Sequence, residues 1–545
     1  MTLLEFTAPT LDYGLLAPFL IVIGAAAIGV LVEAFVDRTW RHEVQTGLAV
    51  LALLAAGTVT VVQWGEEGYG LADPVRSLAG STGSVLIDGP TQVFWLMLLG
   101  FGLFGVLLFS ERVAHEGHTA FTSAAAAIPG SRAESEAQAA HMGHAEVFPL
   151  ALFSLSGMML FVAADDTLTM FVALEIMSLP LYVLASLARH RRLASQEAAL
   201  KYFLLGAAAS AIFLFGVALL FAHAGTFDFA GLSQAVTGGL GQSRTLLLAG
   251  LALVAVGLLF KLGAVPFHNW APDVYQGAPT PVAGFMAVCT KIAAVAGLLR
   301  LFYVGLGAEL WWWRPLFIGV AVVTMVVGAV LGIVQSDVKR LLAYSSIAHA
   351  GFVLVGFVGA LVFTTATVDA DTGAITIAAG IGLGSVGAIA TYLVAYGFAT
   401  LAAFACVTLV RSQGREATGL AAWSGLGRRV PWFGATMLVA LLSLAGIPLT
   451  AGFVGKFAVF QAAWRGGLWW LALIAVLAAV VAVYIYFRLV VVLFFRDPEP
   501  GVEVRVPGSA TVTVLVLSTL GTLFVGLLPG PLTDALAKVT TFLVP

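Results

Sequence analysis

Apolar stretches of about twenty residues recur from one end of the chain to the other, separated by short polar joints. About twenty residues of helix cross the ~30 Å hydrocarbon core of a bilayer, so each stretch predicts a membrane-spanning helix. Fourteen spans are predicted, at 14–36, 43–63, 91–110, 147–164, 167–187, 197–223, 244–263, 280–303, 315–335, 339–361, 384–411, 432–461, 467–495 and 511–529. The Pro- and Gly-rich joint between Ala271 and Pro281 reads as a loop, and so does the Gly-rich, mildly apolar stretch 362–383. The predicted fold class is an all-α polytopic membrane protein.

Composition supports the same class. Of 545 residues, 60% are hydrophobic and only 10% charged, whereas soluble domains carry roughly 25% charged residues. No basic stretch argues for nucleic acid. The two cysteines, Cys289 and Cys406, lie in apolar runs and have neither pairing nor metal-ligand spacing. The first span has no basic segment before it and no small-residue cleavage site after it, so a retained helix is expected rather than a signal peptide. High Ala, Gly and Arg with few Lys suggests a GC-rich bacterium, and hence its plasma membrane.

Loop charges then orient the spans. With fourteen of them, sixteen basic residues fall on one side: Arg38, Arg41, Arg112, Arg132, Arg189, Arg191, Arg192, Lys339, Arg340, Arg411, Arg415, Arg428, Arg429, Arg488, Arg496 and Arg505. The other side has six: Arg76, Arg244, Arg300, Arg314, Arg465 and Lys538. A miscounted span would invert every later loop, so a bias that persists along the whole chain supports the count. The positive-inside rule puts the richer side in the cytoplasm and both termini outside.

Four basic residues remain, Lys201, Lys261, Lys291 and Lys456, and all four fall inside predicted spans. An ionisable group at mid-bilayer costs at least ~2.5–3.5 kcal/mol and needs a partner, water or a function. Lys261, in LLFKLGAVPFHNW, precedes Gly263 and Pro266. Proline removes a helical hydrogen bond, and the freed carbonyls are tolerated only inside protein or along a hydrated cavity. Lys456 repeats the arrangement in AGIPLTAGFVGKF, beside a break at Gly446, Pro448 and Gly452. Lys291 sits about midway along the eighth span, with no route to the surface. Glu175 lies near the middle of the fifth, and its bland alternative is a structural carboxylate bonded to a neighbouring helix. Lys201 opens the sixth span close to the cytoplasmic side, where snorkelling accounts for it as well as proton relay does. His349, in SSIAHAG, suits a proton relay by its ordinary pKa near 6.5 and equally suits a helix–helix hydrogen bond. A Glu175–lysine pair would titrate as one coupled unit, and protonation of Lys261 would act on Lys291 and then Lys456 if the side chains form a row.

The two broken, lysine-bearing helices are five spans apart, so they run in opposite directions. That spacing predicts two inverted five-helix repeats, spans 4–8 over 147–303 and spans 9–13 over 304–495. A three-helix segment (1–110) and a polar insertion (111–146) precede them, and the fourteenth helix (496–545) follows.

The stretch FKLGAVPFHNWAPDVYQGAPTPV, Phe260 to Val282, followed by Lys291, resembles the antiporter-like membrane subunits of proton-pumping NADH–quinone oxidoreductase (respiratory complex I), and among them subunit N. ALEIMSLPLYVLA, EAALKYFLLGAAASAIFLFG, SDVKRLLAYSSIAHAGF and SLAGIPLTAGFVGKF extend the likeness over about 147–490, in matching order. DVYQGAPTPV is the most specific portion. It separates subunit N from its paralogues and from cation/proton antiporter subunits, the alternative reading, in which the chain is a Na+/H+ antiporter component. The resemblance implies a proton path through Glu175, Lys261, Lys291 and Lys456, driven by quinone reduction in neighbouring subunits, with Lys201 aligned to a further lysine of the sixth helix. It also implies partnership with paralogous and small membrane subunits. FMN, iron–sulfur clusters and quinone are expected in other subunits, with no metal or redox centre in this chain. Two segments depart from the family pattern. The loop Glu111–Glu146 carries His115, His118, His141 and His144, which read as part of a surface insertion before a metal site. Thr364–Gly380 also reads as inserted.

Overall fold

The computed structural model describes residues 12–65, 84–112, 119–122, 127–128, 131–133, 136, 145–189, 191–239, 241, 243–359, 362–368, 375–381 and 384–537. His115, His118, His141 and His144 lie outside the described residues. The part of the insertion at 119–122 is pinned to the joint after the fifth span: Thr122 N–H donates to Leu187 O at 2.9 Å and Arg189 N–H to Ala120 O at 3.0 Å.

Apolar helices form at every predicted span. They are α1 (Tyr13–Phe35), α2 (Arg38–Gly65), α3 (Gly89–Ser110), α4 (Val147–Ala163), α5 (Thr167–Ala185), α6 (Arg192–Ala224), α7 (Arg244–Leu262), α8 (Thr280–Gly305), α9 (Leu310–Ile333), α10 (Val338–Val358), α11 (Gly384–Leu409), α12 (Pro431–Ala445), α13 (Trp469–Phe495) and α14 (Ser509–Leu527). Twelve are long and apolar enough to cross a bilayer alone, and α4 and α12 are the shorter apolar ones. Beyond the break, α12 is continued by a half-helix, Ala451–Arg465.

Local chemistry sets the ends. Asp12, Asp88, Asp166 and Asp337 each cap a helix N-terminus by accepting from a backbone N–H two or three residues on. Glycines at positive φ stop three helices: Gly225 after α6, Gly263 after α7 and Gly446 after α12.

Two joints differ from the expectation of loops. Trp270–Gly277 is a two-turn helix; its Pro272 falls in the first turn, where proline's missing N–H costs nothing. Within 362–383, Val362–Val368 (β1) pairs antiparallel with Ile375–Ile381 (β2). The β-branched content of VFTTATV and ITIAAGI favours strands.

The pairing of helices repeats from the first half of the bundle to the second. Helix α4 lies along α5 as α9 lies along α10, and α6 lies along α7 as α11 lies along α12 and its continuation. The equivalent helices α5 and α10 both open on a capping aspartate. Helices α8 and α10 form the centre and are buried along nearly all of their apolar length, while α1, α2, α6, α9, α13 and α14 leave more than half of theirs unburied.

Candidate proton-transfer site

The site begins where α7 ends. Gly263 takes φ +77°, a left-handed conformation that glycine adopts without cost. The chain then turns through Pro266 before the half-helix Trp270–Gly277 begins. Its freed groups find partners inside the protein: Trp270 Nε1–H donates to Phe260 O at 2.9 Å, and Val265 N–H to Thr324 Oγ1 of α9 at 3.1 Å.

Lys261, one turn before the break, is buried. Its Nζ donates to Ser178 Oγ on α5 at 2.7 Å and to Tyr202 OH on α6 at 3.3 Å, and lies 5.7 Å from the Tyr202 ring centroid. Glu175 is half-buried one turn before Ser178, within electrostatic reach of Lys261. Its Oε1 is buried and has no hydrogen-bond partner among the described residues. Glu175 and Lys261 thus interact through space, with no contact ion pair between them among the described residues, while Ser178, one turn on from Glu175, takes the lysine's hydrogen bond.

Lys291 lies on α8 immediately after a π turn over Met286–Thr290. Its Nζ donates to Ser346 O of α10 at 2.8 Å and, at 3.5 Å, to Leu262 O, the residue after Lys261. The same Nζ stands 5.6 Å from the Tyr396 ring centroid, and Tyr396 OH donates to Ser346 Oγ at 2.8 Å.

His349 on α10 lies within electrostatic reach of both Lys291 and Lys456. Its Nδ1 bonds to Tyr392 OH of α11 and its Nε2 to Tyr486 OH of α13 at 3.1 Å, and its ring lies 5.0 Å from that of Tyr396. A cavity about the size of one water lies beside it, lined by Tyr392, Tyr396, Ser443, Leu444 and Gly452.

Lys456 completes the series with a different geometry from Lys261. It sits after its break, on the continuation of α12, and reaches back so that Nζ donates to Leu444 O at 3.0 Å and Ala445 O at 2.8 Å. The ammonium thus caps the broken end of α12, where a cation is favoured. Gly446 turns the chain at φ +84°, and a Cβ there would lie 2.7 Å from Lys456 Cδ. Gly452 N–H donates to Ser443 Oγ at 3.0 Å across the break.

Lys201 stands apart from this series. It lies nine residues into α6, its side chain 44% exposed, and its Nζ pairs with Glu197 at 2.7 Å and Asp273 at 3.0 Å. Asp273 also pairs with Arg340 at 2.6 Å, so the lysine ties α6 to the half-helix after α7.

The hydroxyls of Ser178, Tyr202, Tyr392 and Tyr486 were not singled out by sequence reasoning. Their only signal is a hydroxyl in an apolar helix, which needs a buried partner. Among the described residues, no group of three or more His, Cys, Asp or Glu side chains is placed to hold a metal ion.

Residues 164–368 and 370–482 match the family model described as NADH:quinone oxidoreductase/Mrp antiporter, TM. The chain is 48% identical to NADH-quinone oxidoreductase subunit N of Cutibacterium acnes, over 99% of this chain and 97% of that one. It is also 48% identical to subunit N of a Nocardioides species, over 99% and 100%. A chain of respiratory complex I from Thermus thermophilus superposes with a TM-score of 0.72 at 32% identity, covering 96% of this chain and all of that one. A chain of the Mrp complex from Dietzia superposes with a TM-score of 0.73 at 18% identity, a likeness of fold alone. With more than half its length matched by the family model and near-complete coverage at 48% identity, the chain belongs to the subunit N family of the NADH–quinone oxidoreductases.

Proposed function

We propose that this chain carries protons across the membrane within an NADH–quinone oxidoreductase complex, through Glu175, Lys261, Lys291, His349 and Lys456 in that order. Quinone reduction in neighbouring subunits supplies the drive, and flavin, iron–sulfur clusters and quinone belong to those subunits. The observation that carries the reading is the continuity of the buried groups. Ser178, one turn from Glu175, accepts from Lys261, Leu262 O and Lys291 bond across α7 and α8, and His349, bonded to two tyrosines, is within electrostatic reach of both Lys291 and Lys456. Among the described residues Lys261, Lys291 and Lys456 hydrogen-bond to neutral groups, so each proton is bound by hydroxyls and carbonyls that hold it without locking it into an ion pair.

In this reading a charge change near Glu175 shifts Lys261, which acts on Lys291, and so on to Lys456. Interacting groups of this kind titrate together, so the series moves as a unit. Lys201 anchors the half-helix through Asp273. The basic-rich face is cytoplasmic and both termini lie outside, as the charge bias requires. A cation/proton antiporter subunit is the competing reading. The 48% identity to subunit N across the whole chain, against 18% to the Mrp chain, favours the first.

The test is Lys261→Ala, with Glu175→Gln alongside, in the assembled complex in proteoliposomes. Quinone reduction and acidification of the lumen are recorded together. Loss of pumping in an assembled complex is the expected result, and wild-type pumping by Lys261→Ala sinks the reading.

A further inference from the structure

On the basic-poor face, four aspartates and one arginine converge where α3, α5, α8 and the short helix Phe229–Thr237 meet. Three of the four carboxylates are spent on helix ends. Asp88 Oδ1 accepts from Thr91 N–H at 3.0 Å and pairs with Arg300 Nη2 at 2.6 Å. Asp166 accepts from Thr169 N–H at 2.6 Å. Asp228 accepts from Gly231 N–H at 2.5 Å and caps the short helix. These are ordinary N-cap contacts, and they account for the three side chains as structure.

Asp165 differs from the other three. It is 5% exposed, and its Oδ1 is buried with no hydrogen-bond partner among the described residues. Its backbone is fixed on both sides, with N–H donating to Ser84 O at 2.9 Å and C=O accepting from Phe229 N–H at 3.0 Å. The side chain is therefore held inside the cluster although its Oδ1 accepts no hydrogen bond there from the described residues. A buried carboxyl in that position requires a reason, because an unsatisfied polar group is costly and an unpaired ion more so.

Charge supplies the reason. The groups that act on Asp165 are Arg300 from α8, Asp88 from α3, Asp166 from α5 and Asp228 from the short helix. Three carboxyl groups already outnumber one guanidinium here, so a fourth negative charge on Asp165 would face net repulsion. The positive charge the cluster lacks is that of a proton. Burial first, with the three neighbouring aspartates adding to it against the opposing pull of Arg300, raises the Asp165 carboxyl to about 6.

We propose that the Asp165 carboxyl is a proton-binding site on the exterior face of the chain, through which the first five-helix unit exchanges protons with the outer compartment. This rests on the proton-translocating reading above and on the orientation given there. Its links to that series are covalent: α5 runs from this cluster to Glu175, and α8 carries Arg300 nine residues after Lys291, about 13 Å of helical rise. Loss of the proton turns Asp165 into a competitor of Asp88 for Arg300, so exchange at this site alters the charge balance at the outer end of the helix that holds Lys291.

The test uses the assembled complex in two measurements. In the wild-type complex a membrane-permeant hydrophobic carbodiimide, which reacts with protonated carboxyls, is applied between about pH 5 and about pH 8, and mass spectrometry follows modification of Asp165; half-modification near the raised value is expected. No modification over that range, or only the vanishing tail at about pH 5 that an ordinary carboxyl at ~3.9 would leave, overturns the proposal whether or not any variant assembles. In proteoliposomes, Asp165→Asn should flatten the dependence of pumping on exterior pH, and Asp165→Glu should restore it. A wild-type profile in Asp165→Asn also overturns the proposal, because the site would then bind a proton without exchanging it. The two readings fail separately. Wild-type pumping by Lys261→Ala removes the central series while the carbodiimide titration of Asp165 stands, and silence of Lys261→Ala with a flat carbodiimide result removes only the outer site.

Discussion

Lys261 on α7 reaches Ser178 on α5 at 2.7 Å, and Ser178 stands one turn from Glu175 on the same helix. The hydroxyl also donates to Leu174 O, so it accepts from the lysine while holding its own helix. Removing it leaves Lys261 with Tyr202 as its remaining hydrogen-bond partner. An unsatisfied buried group costs about 1–3 kcal/mol, so Ser178→Ala should lower the pumping rate roughly fivefold or more at unchanged assembly. Ser178→Thr, which keeps the hydroxyl, should recover most of it. The ratio of lumen acidification to quinone reduction is the measurement, and equal ratios in Ala and Thr variants would remove Ser178 from the path.

His349 is bonded to tyrosines on both ring nitrogens. A histidine that only braced helices would tolerate loss of either hydroxyl, at the roughly 1 kcal/mol cost of one hydrogen bond. A histidine that passes protons depends on both, because its two nitrogens must exchange roles as donor and acceptor. Tyr392→Phe and Tyr486→Phe should therefore each reduce pumping by more than their effect on thermal stability, and the double variant should do no worse than the stronger single one. Additive losses in pumping would identify two independent structural contacts.

Lys456 joins charge transfer to architecture. It satisfies two carbonyls at the end of α12, which a Lys456→Ala complex would leave unpaired in a buried region. Lys456→Ala should thus lose both pumping and about 2–4 kcal/mol of stability, whereas Lys261→Ala should lose pumping with a smaller change in melting temperature. Gly446→Ala tests the same corner from the backbone side. A left-handed φ costs an alanine about 1–2 kcal/mol, and the added methyl meets Lys456 Cδ at 2.7 Å. Melting of the detergent-solubilised complex separates these outcomes.

The sequence carried the spans, their count, the two breaks and the buried lysines, because a bilayer penalises charge and proline severely enough to leave a readable trace. Asymmetry between the breaks was not legible. Lys261 precedes Gly263 and Lys456 follows Gly446, yet only the fold reveals that Lys456 turns back onto carbonyls eleven and twelve residues earlier. The half-helix Trp270–Gly277 was masked by Pro272, whose effect depends on its position within the first turn. Tyr392 and Tyr486 come from α11 and α13, and nothing in either segment names His349 as the shared partner. Asp165 was invisible for a related reason: beside Asp166 it looks like half of one N-cap pair, and only the hydrogen bonding separates the capping residue from the one whose Oδ1 has no partner among the described residues.

Arg300 and Asp88 form a buried ion pair 1% and 0% exposed. Removing one member of such a pair strands the other and costs about 3–5 kcal/mol. Arg300→Met should accordingly prevent stable assembly, while Arg300→Met combined with Asp88→Asn should recover part of it. The comparison is read from the amount of intact complex in native gels, and a double variant no better than the single one would mean that Arg300 acts chiefly through contacts other than Asp88, among them Nε–H to Val162 O at 3.0 Å and Nη2–H to Thr91 Oγ1 at 2.7 Å.

The opposite face holds a carboxylate with the reverse pH behaviour from Asp165. Glu416 accepts from Thr280 Oγ1 at 2.7 Å, at the start of α8, and lies 3.8 Å from Arg411. Burial alone would raise its carboxyl, but Arg411 and Lys339 outweigh that and, with the Thr280 hydroxyl and Arg191, hold it below the ordinary glutamate value. A carboxyl lowered in the folded state stabilises the fold above its unfolded pKa, near pH 4.3, and loses that contribution as pH falls through its lower folded value. Acid should therefore loosen the basic-rich face first, releasing the Thr280 end of α8. Glu416→Gln should lower stability by about 1–3 kcal/mol near neutrality and should show less further loss between about pH 5 and about pH 3 than the wild type. Melting curves of both complexes across that range decide it: parallel acid profiles would show that another group controls the acid response.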